Sequence, residues 1–265
     1  MKTTYGKSVM NSMLMADRHR RIVELVEREG SVRVSELSEL FQVTEETIRR
    51  DLDKLESEGK VLRTHGGAVR NEEPGLEIPV SEREIERIEQ KRKIAEKAME
   101  WIEVGDQIML DASTTAWQMA KILPDIPLTV VTNSVKVVME LAGKDNIQVI
   151  SVGGNLAVRS LSFVGPLAER SLDSYHVGKL FMSCGGCHLE YGISETTEEQ
   201  ARVKAKMIAN SDELILLVDS SKFQKRAFTK IAPVRVADML ITDAEADPGI
   251  VEQIEALSVS VHRVE

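Results

Sequence analysis

Residues 31–69 read S-V-R-V-S-E-L-S-E-L-F-Q-V-T-E-E-T-I-R-R-D-L-D-K-L-E-S-E-G-K-V-L-R-T-H-G-G-A-V, and the order of signals in that stretch decides the first part of the fold. The short β-branched alternation of Val32, Arg33 and Val34 predicts a minimal strand. Ser35 is a candidate N-cap for a short helix burying Leu37, Leu40 and Phe41. Gln42 and Val43 make the turn, and Thr44 is a candidate cap for a second helix. On that helix Ile48, Leu52 and Leu55 share one narrow arc, while Glu46, Thr47, Arg50 and Lys54 fall on the opposite side and Arg49 on a flank. Gly59 ends it. Residues 61–69 then read as two short strands around a Gly-containing turn that holds His65. A helix with one apolar face and one Thr/Arg/Lys face, followed by a β-wing, is a form that sets side chains into the major groove of DNA. A small helical domain with a solvated charged face has the same periodicity, so the pattern alone leaves both readings open.

Working outward, Ile22, Leu25 and Val26 give residues 17–28 a helical stripe that ends at Glu29-Gly30. Residues 1–16 are polar and Met-rich without the apolar core of a signal peptide, and read as a disordered leader in which Met15 is a second candidate start. Residues 71–80 contain Glu72, Glu73, Pro74, Gly75 and Pro79, a breaker-rich linker. A charged helix is predicted over 81–102, with Ile85, Ile88, Ile94, Ala95, Ala98 and Met99 on it. From Gly105 the rhythm alternates. Strands are predicted at 107–111, 128–132, 147–152, 179–183, 213–219, 238–242 and 259–264, and helices at 114–123, 134–142, 161–172, 198–210 and 249–257. That order means a mostly parallel sheet covered by helices. The expected architecture is α/β: a winged helix-turn-helix over 17–70, a linker over 71–80, and a Rossmann-like domain over 81–265.

Composition narrows the class. The chain has 265 residues, 42% of them hydrophobic, enough for genuine cores. No run of apolar residues is long enough to span a bilayer, so no membrane role is expected. The chain has two cysteines, too few for a secreted disulfide framework, which reads as cytoplasmic. The net charge is −9, but it is unevenly spread. Residues 1–70 hold 13 Lys/Arg and 12 Asp/Glu, leaving 21 and 31 for the remainder. Bulk attraction to phosphate is therefore weak, and DNA binding depends on a few well-placed basic groups and on two copies of the domain.

In open parallel sheets, ligands collect beyond the carboxyl ends of the strands. Here those ends are small and polar. Asp111-Ala112-Ser113-Thr114-Thr115 runs straight into a helix, where hydroxyls and free amides suit a phosphate. Other ends offer Thr132-Asn133-Ser134, Gly153-Gly154, Gly185-Gly186 and Asp219-Ser220-Ser221-Lys222. Each alone is also an ordinary helix cap. Their convergence on one edge points to an anion site. Asp111 repels phosphate and fits better as an acceptor from sugar hydroxyls or as an organiser of neighbouring amides, with Lys204 and Lys222 offsetting the charge. Cys184-Gly-Gly-Cys187-His188 has the spacing of half a zinc site or a redox pair. No second C-x-x-C or H-x-x-x-H accompanies it, so no metal or cofactor is expected. No serine-hydrolase elbow, Walker loop or zinc-protease helix is present.

The chain resembles the DeoR family of bacterial transcriptional regulators from about residue 17 onward. The resemblance is carried by V-T-E-E-T-I-R-R-D-L-D-K-L-E-S-E-G, R-T-H-G-G-A-V, L-D-A-S-T-T, T-V-V-T-N-S, V-G-G-N-L, S-F-V-G-P, and D-S-S-K-F followed by I-T-D. It implies a regulator that binds operator DNA, usually as a repressor of a carbohydrate operon. It also implies a C-terminal domain similar to ribose-5-phosphate isomerase that binds a phosphorylated sugar. By motif, the recognition helix covers 44–58, and the DNA-facing set is Ser35, Thr44, Glu46, Thr47, Arg49, Arg50, Lys54, Arg63 and His65. The effector set is Asp111, Ser113, Thr114, Thr115, Asn133, Ser134, Gly153, Gly154 and Lys222. Two departures stand out. Ser113 replaces the glycine of D-S-G-T-T or D-A-G-T-T, and Cys184 to Glu190 occupies a loop that is commonly Gly-rich and followed by Gly-Ile/Leu-Asp.

The expected function is a metabolite-responsive repressor acting as a homodimer or homotetramer, not an enzyme. The alternative is a sugar-phosphate isomerase with an appended DNA-binding module, for which Asp111 or Glu195 is the candidate base. A DNA-binding architectural protein without an effector leaves the polar strand ends unexplained.

Overall fold

In a computed structural model of the chain, the described residues are 15–58, 60–64, 66–70 and 77–265. The predicted leader through residue 14, the helix stop at Gly59, the wing residue His65 and positions 71–76 of the predicted linker lie outside the described residues. Contacts divide the chain into two units, between residues 73 and 74.

The first unit runs α1 (Met15–Glu29), β1 (Ser31–Arg33), α2 (Val34–Phe41), α3 (Glu45–Ser57), β2 (Val61–Thr64) and β3 (Gly67–Arg70). Its strands form an antiparallel sheet in the order β1-β3-β2. Ile22, Val26, Val32, Val34, Leu37, Ile48, Leu52, Leu55, Val61 and Ala68 make one core. Gln42 adopts a left-handed conformation (φ 52°) at the turn, and Thr44 Oγ1 accepts the Thr47 amide at 3.2 Å to start α3. Two expectations fail here. Helix α2 begins two residues early, with Arg33 as its N-cap, so Ser35 lies exposed inside the first turn. Val34 thereby joins Leu37 and Phe41 in the buried arc, and Leu40, off its edge, is 60% exposed.

The second unit continues with α4 (Val80–Arg83), α5 (Ile88–Ala98), β4 (Gln107–Leu110), α6 (Thr114–Ile122), β5 (Leu128–Thr132), α7 (Val135–Leu141) and β6 (Ile147–Ser151). Then come β7 (Asn155–Ala157), β8 (Ser162–Val164), α8 (Pro166–Leu172), β9 (Val177–Met182), β10 (Gly186–His188), β11 (Gly192–Glu195) and α9 (Glu198–Ala209). It closes with β12 (Ser211–Val218), β13 (Thr229–Ala232), β14 (Met239–Asp243), α10 (Pro248–Glu255) and β15 (Ser260–Val264). Seven strands form a parallel sheet in the order β15-β14-β12-β9-β4-β5-β6. Successive strand residues feed opposite faces. Ile108, Leu110, Phe181, Ile215 and Leu217 pack with apolar residues of α5, α6 and α7. Met109, Leu180, Met182, Leu214 and Leu216 pack with those of α8, α9 and α10.

Three predicted elements change. The helix over 81–102 is broken: Arg87 is left-handed (φ 51°), and a 3₁₀ turn at Met99–Trp101 follows α5. The break leaves Ile85 69% and Ile88 41% exposed. It has a physical cause, because Arg87 is drawn out to Asp219, Asp243 and Glu245, while Lys91 Nζ takes the freed carbonyls of Arg83 and Glu86 at 2.6 and 2.7 Å. The helix over 161–172 is instead β8 followed by α8, since residues 162–164 pair with β7 and Pro166 starts the helix after Gly165 at φ 86°. Strands β10, β11 and β13 form a small antiparallel sheet that the alternating pattern did not suggest. Runs of three or four residues are too short for periodicity to reveal.

Candidate functional site

On α3, Ile48, Asp51, Leu52 and Leu55 are buried, while Thr44, Glu46, Arg49, Arg50 and Lys54 are exposed and Thr47 is half-buried. The basic side chains rest on acidic neighbours one turn away: Arg49 on Glu45 at 2.7 Å, Arg50 on Glu46 at 3.3 Å and Lys54 on Glu58 at 3.5 Å. Exposed pairs of this kind are weak in water, so a guanidinium exchanges such a partner for a base edge or phosphate at little cost. Arg63 is different. Its Nε lies 3.0 Å from Asp53 Oδ1, its Nη1 donates to the Gly67 carbonyl, and its amide donates to Glu56. It braces the hairpin against α3.

Asp51 was not singled out from the sequence. Its carboxylate receives Arg18 Nε at 2.5 Å, Arg18 Nη2 at 3.0 Å and His19 Nε2 at 2.9 Å, tying α1 to α3. Burial pushes its pKa up, but the hydrogen bonds from Arg18 and His19 outweigh burial and hold it below the usual carboxylate range. The available signal was an acidic residue lying between Ile48 and Leu55 on the apolar arc.

In the second unit the sheet winds outward in both directions from the boundary between β4 and β9. Such a switch point opens a crevice at the strand ends. Asp111 directly follows β4 and Ser183 directly follows β9, and the two are joined across the boundary by the Ser183 amide on Asp111 Oδ2 at 3.1 Å. Asp111 is fully buried. Its Oδ1 accepts the Ser113 amide at 3.2 Å and hydroxyl at 2.6 Å, and its Oδ2 also meets Lys204 Nζ at 3.0 Å. Lys204, on α9, further donates to Glu195 Oε1 at 2.5 Å and to the Ser183 carbonyl at 2.8 Å. Burial acts to lower the Lys204 pKa, but the charges of Glu195 and Asp111 more than reverse that and hold it above its ordinary value. Burial likewise acts to raise Glu195, and Lys204 pulls it below the usual range.

The remaining sequence-derived positions distribute along the same edge. Ser113 Oγ caps α6 through the Ala116 amide at 3.1 Å, leaving Thr114 and Thr115 buried in the first turn. Ser134 Oγ caps α7 through Val137, and Asn133 Nδ2 donates to the Phe163 carbonyl at 3.1 Å. Asn133 Oδ1 is buried without a hydrogen-bond partner among the described residues. Gly153 and Gly154 follow β6 with φ of 63° and 115°, and a Cβ at Gly154 would lie 2.7 Å from the Val164 carbonyl oxygen. Lys222 lies in a 3₁₀ turn after β12, half-buried, where Asp219 Oδ1 caps Ser221. Cys184 and Cys187 are buried free thiols; burial raises Cys184 well above its ordinary pKa and pushes Cys187 up to about 12, which disfavours thiolate chemistry. No group of metal-ligating residues occurs among the described residues.

Residues 18–74 match the DeoR-like helix-turn-helix domain, and residues 86–244 match the DeoR C terminal sensor domain. The chain belongs to the DeoR family. Among the relatives of this DeoR-family regulator is the uncharacterized HTH-type transcriptional regulator YulB of Bacillus subtilis (strain 168), 54% identical over 95% of this chain and 98% of that protein. The HTH-type transcriptional regulator GlpR of Haloferax volcanii is 36% identical over 94% of this chain and 98% of its own length. The putative aga operon transcriptional repressor of Escherichia coli O157:H7 is 32% identical over 93% of both chains. These relatives are named as transcriptional regulators, not enzymes. In this DeoR-family chain no described helix is long and apolar enough to cross a membrane.

Proposed function

We propose that this DeoR-family regulator represses a carbohydrate-metabolism operon and is released from its operator by a phosphorylated sugar held at the carboxyl edge of its parallel sheet. The observation that carries the reading is the strand-end cluster beside the switch point, where buried Asn133 Oδ1 has no hydrogen-bond partner among the described residues. A buried acceptor left unpaired is costly, and a ligand hydroxyl satisfies it. Thr114 and Thr115 at the start of α6, Ser134, Gly153, Gly154 and Lys222 surround the phosphate and sugar. Asp111 and Ser113 act as organisers of the loops, since Asp111 already receives four protein donors.

The operator is read by Arg50, with Arg49, Lys54 and Thr47 on bases and phosphates and Ser35, Thr44 and Glu46 at the rim. A homodimer or homotetramer supplies two such helices. The carbohydrate assignment is supported by relatives named for an L-fucose operon, and the repressor assignment by one named as a putative operon repressor. An isomerase reading finds less support, because Asp111 and Glu195 are both committed to Lys204 and neither is free to serve as a base.

Footprinting on the regulator's own upstream region, with and without a panel of sugar phosphates, tests the proposal. One member of the panel should weaken operator binding by about 5–150-fold, the usual span of allosteric coupling. Indifference to every phosphorylated sugar overturns it.

A further inference from the structure

The strand-end cluster has an electrostatic problem that the effector must solve. Asp111, Glu195 and Lys204 together carry one negative charge in excess, and Lys204 is saturated by two carboxylates and a carbonyl. Arg87 is likewise committed to Asp219, Asp243 and Glu245, and Lys91 to two backbone carbonyls. An arriving anion therefore finds Lys204 already neutralised and, besides Lys222, needs a further cation.

Arg83, on α4, meets one carboxylate where Lys204 meets two and Arg87 three. Its Nε donates to the Ile78 carbonyl at 2.9 Å, and its Nη2 meets Glu77 Oε1 at 3.3 Å. Glu77 is 9% exposed, and its carboxylate feels the charges of both Glu195 and Lys204. Arg83 acts in turn on Glu195. The Ser160 hydroxyl, which receives Gln200 Nε2 at 2.7 Å one turn before Lys204, acts on the same carboxylate. The Glu77–Arg83 pair is tied towards the cluster through Arg159, which holds the Glu77 carbonyl, and the adjacent Ser160, which holds Gln200 on the helix that carries Lys204. Glu77 is held there by its backbone, because its carbonyl accepts Arg159 Nη1 at 3.1 Å while the Val80 amide donates to the Arg159 carbonyl at 2.6 Å.

We propose that Glu77 occupies the anion seat of the sensor site, and that the effector's anionic group enters by taking Arg83 from it. This rests on the reading that the effector is anionic. A guanidinium fork suits phosphate at least as well as carboxylate. Burial and the like charge of Glu195 both raise the Glu77 pKa, so the carboxylate is poorly placed where it is and gains by moving into water. Residues 77–80 lie directly after the segment that joins the two units, so releasing Glu77 frees the sensor end of that connection. An effector binding in this way has differential affinity for the strapped and released states, the requirement for shifting a two-state equilibrium.

Titration calorimetry of the full chain with inorganic phosphate, in the absence of DNA, tests the seat. Glu77→Gln should bind phosphate more tightly than wild type, on the order of tenfold, and Arg83→Gln should lose most of the affinity. Arg159→Ala, which loosens the strap without touching the seat, should shift affinity in the same direction as Glu77→Gln. Thermal melts without phosphate separate the alternatives, since a purely structural Glu77 lowers the melting temperature and leaves phosphate affinity unchanged. Equal affinities for wild type, Glu77→Gln and Arg159→Ala, an unaffected Arg83→Gln, or no phosphate binding by any of them overturns the proposal. If sugar phosphates release DNA while these affinities stay equal, the seat fails and the effector reading stands. If the affinities shift as stated while no sugar phosphate releases DNA, the effector reading fails and the seat stands.

Discussion

Lys204 Nζ lies 3.0 Å from Asp111 Oδ2 and thereby ties α9 to the end of β4, beside the boundary where the winding of the sheet reverses. The bond does more than neutralise a charge. It holds Asp111 where one oxygen gathers the Ser113 amide and hydroxyl and the other takes the Ser183 amide. One buried cation thus sets the mutual position of two strand ends.

Removing that cation leaves two buried carboxylates uncompensated. Lys204→Met should destabilise the second unit by about 3–5 kcal/mol, the cost of breaking a buried pair from one side. Urea denaturation measures it. Adding Glu195→Gln to Lys204→Met should restore part of the loss, because it removes one of the stranded charges. A loss below about 1 kcal/mol, the value of a surface pair, contradicts the role given to Lys204.

The Asp51 carboxylate, held low by Arg18 and His19, makes the first unit acid-sensitive. A depressed folded pKa contributes stability that is present above the unfolded value, about 3.9, and is lost as pH falls through the folded one. The stability gap between wild type and Asp51→Asn should therefore be flat near neutrality and narrow below about pH 4. A gap independent of pH down to full protonation contradicts the assignment.

Gly67 is required by close approach between strands. A Cβ there would lie 1.8 Å from the Val32 carbonyl oxygen on β1. Gly67→Ala should separate β1 from β3 and cost operator affinity together with thermal stability. An alanine variant with unchanged melting and unchanged DNA binding is incompatible with this packing.

Arg50 is exposed and, among the described residues, rests only on Glu46. If it reads a base, Arg50→Ala costs about 1–3 kcal/mol and relaxes specificity at one operator position. Binding measured against single-base operator variants distinguishes this from a phosphate contact, which weakens every sequence equally. Arg63→Ala should behave differently, lowering stability first, because its side chain braces Asp53 and the Gly67 carbonyl.

Much of this was legible in one dimension. The arc of Ile48, Leu52 and Leu55 and the cap at Thr44 are local, and local periodicity and capping report them directly. The alternating strands and helices after residue 105 also announced a parallel sheet, and with it the edge where ligands gather. What escaped was set by partners far apart in sequence. The break at Arg87 exists because Asp219, Asp243 and Glu245 draw that side chain away, and no helical periodicity contains them. Leu40 looked as apolar as Leu37, and the face that α2 turns to the core, with Val34 beside Leu37, decided which of them was buried.

The strand-end site divides in the same way. By itself, the sequence determined which residues carry the chemistry of the edge: D-A-S-T-T, T-N-S, G-G and D-S-S-K, each at the end of a predicted strand. Only the tertiary structure decided which of them remain available to a ligand. Hydrogen-bonding capacity is finite, and Asp111, Ser113 and Lys204 have theirs filled from within the fold, whereas Asn133 Oδ1 has no partner among the described residues. The anchoring of Glu77 belongs to the same category, since it depends on Arg159, 82 residues away in sequence.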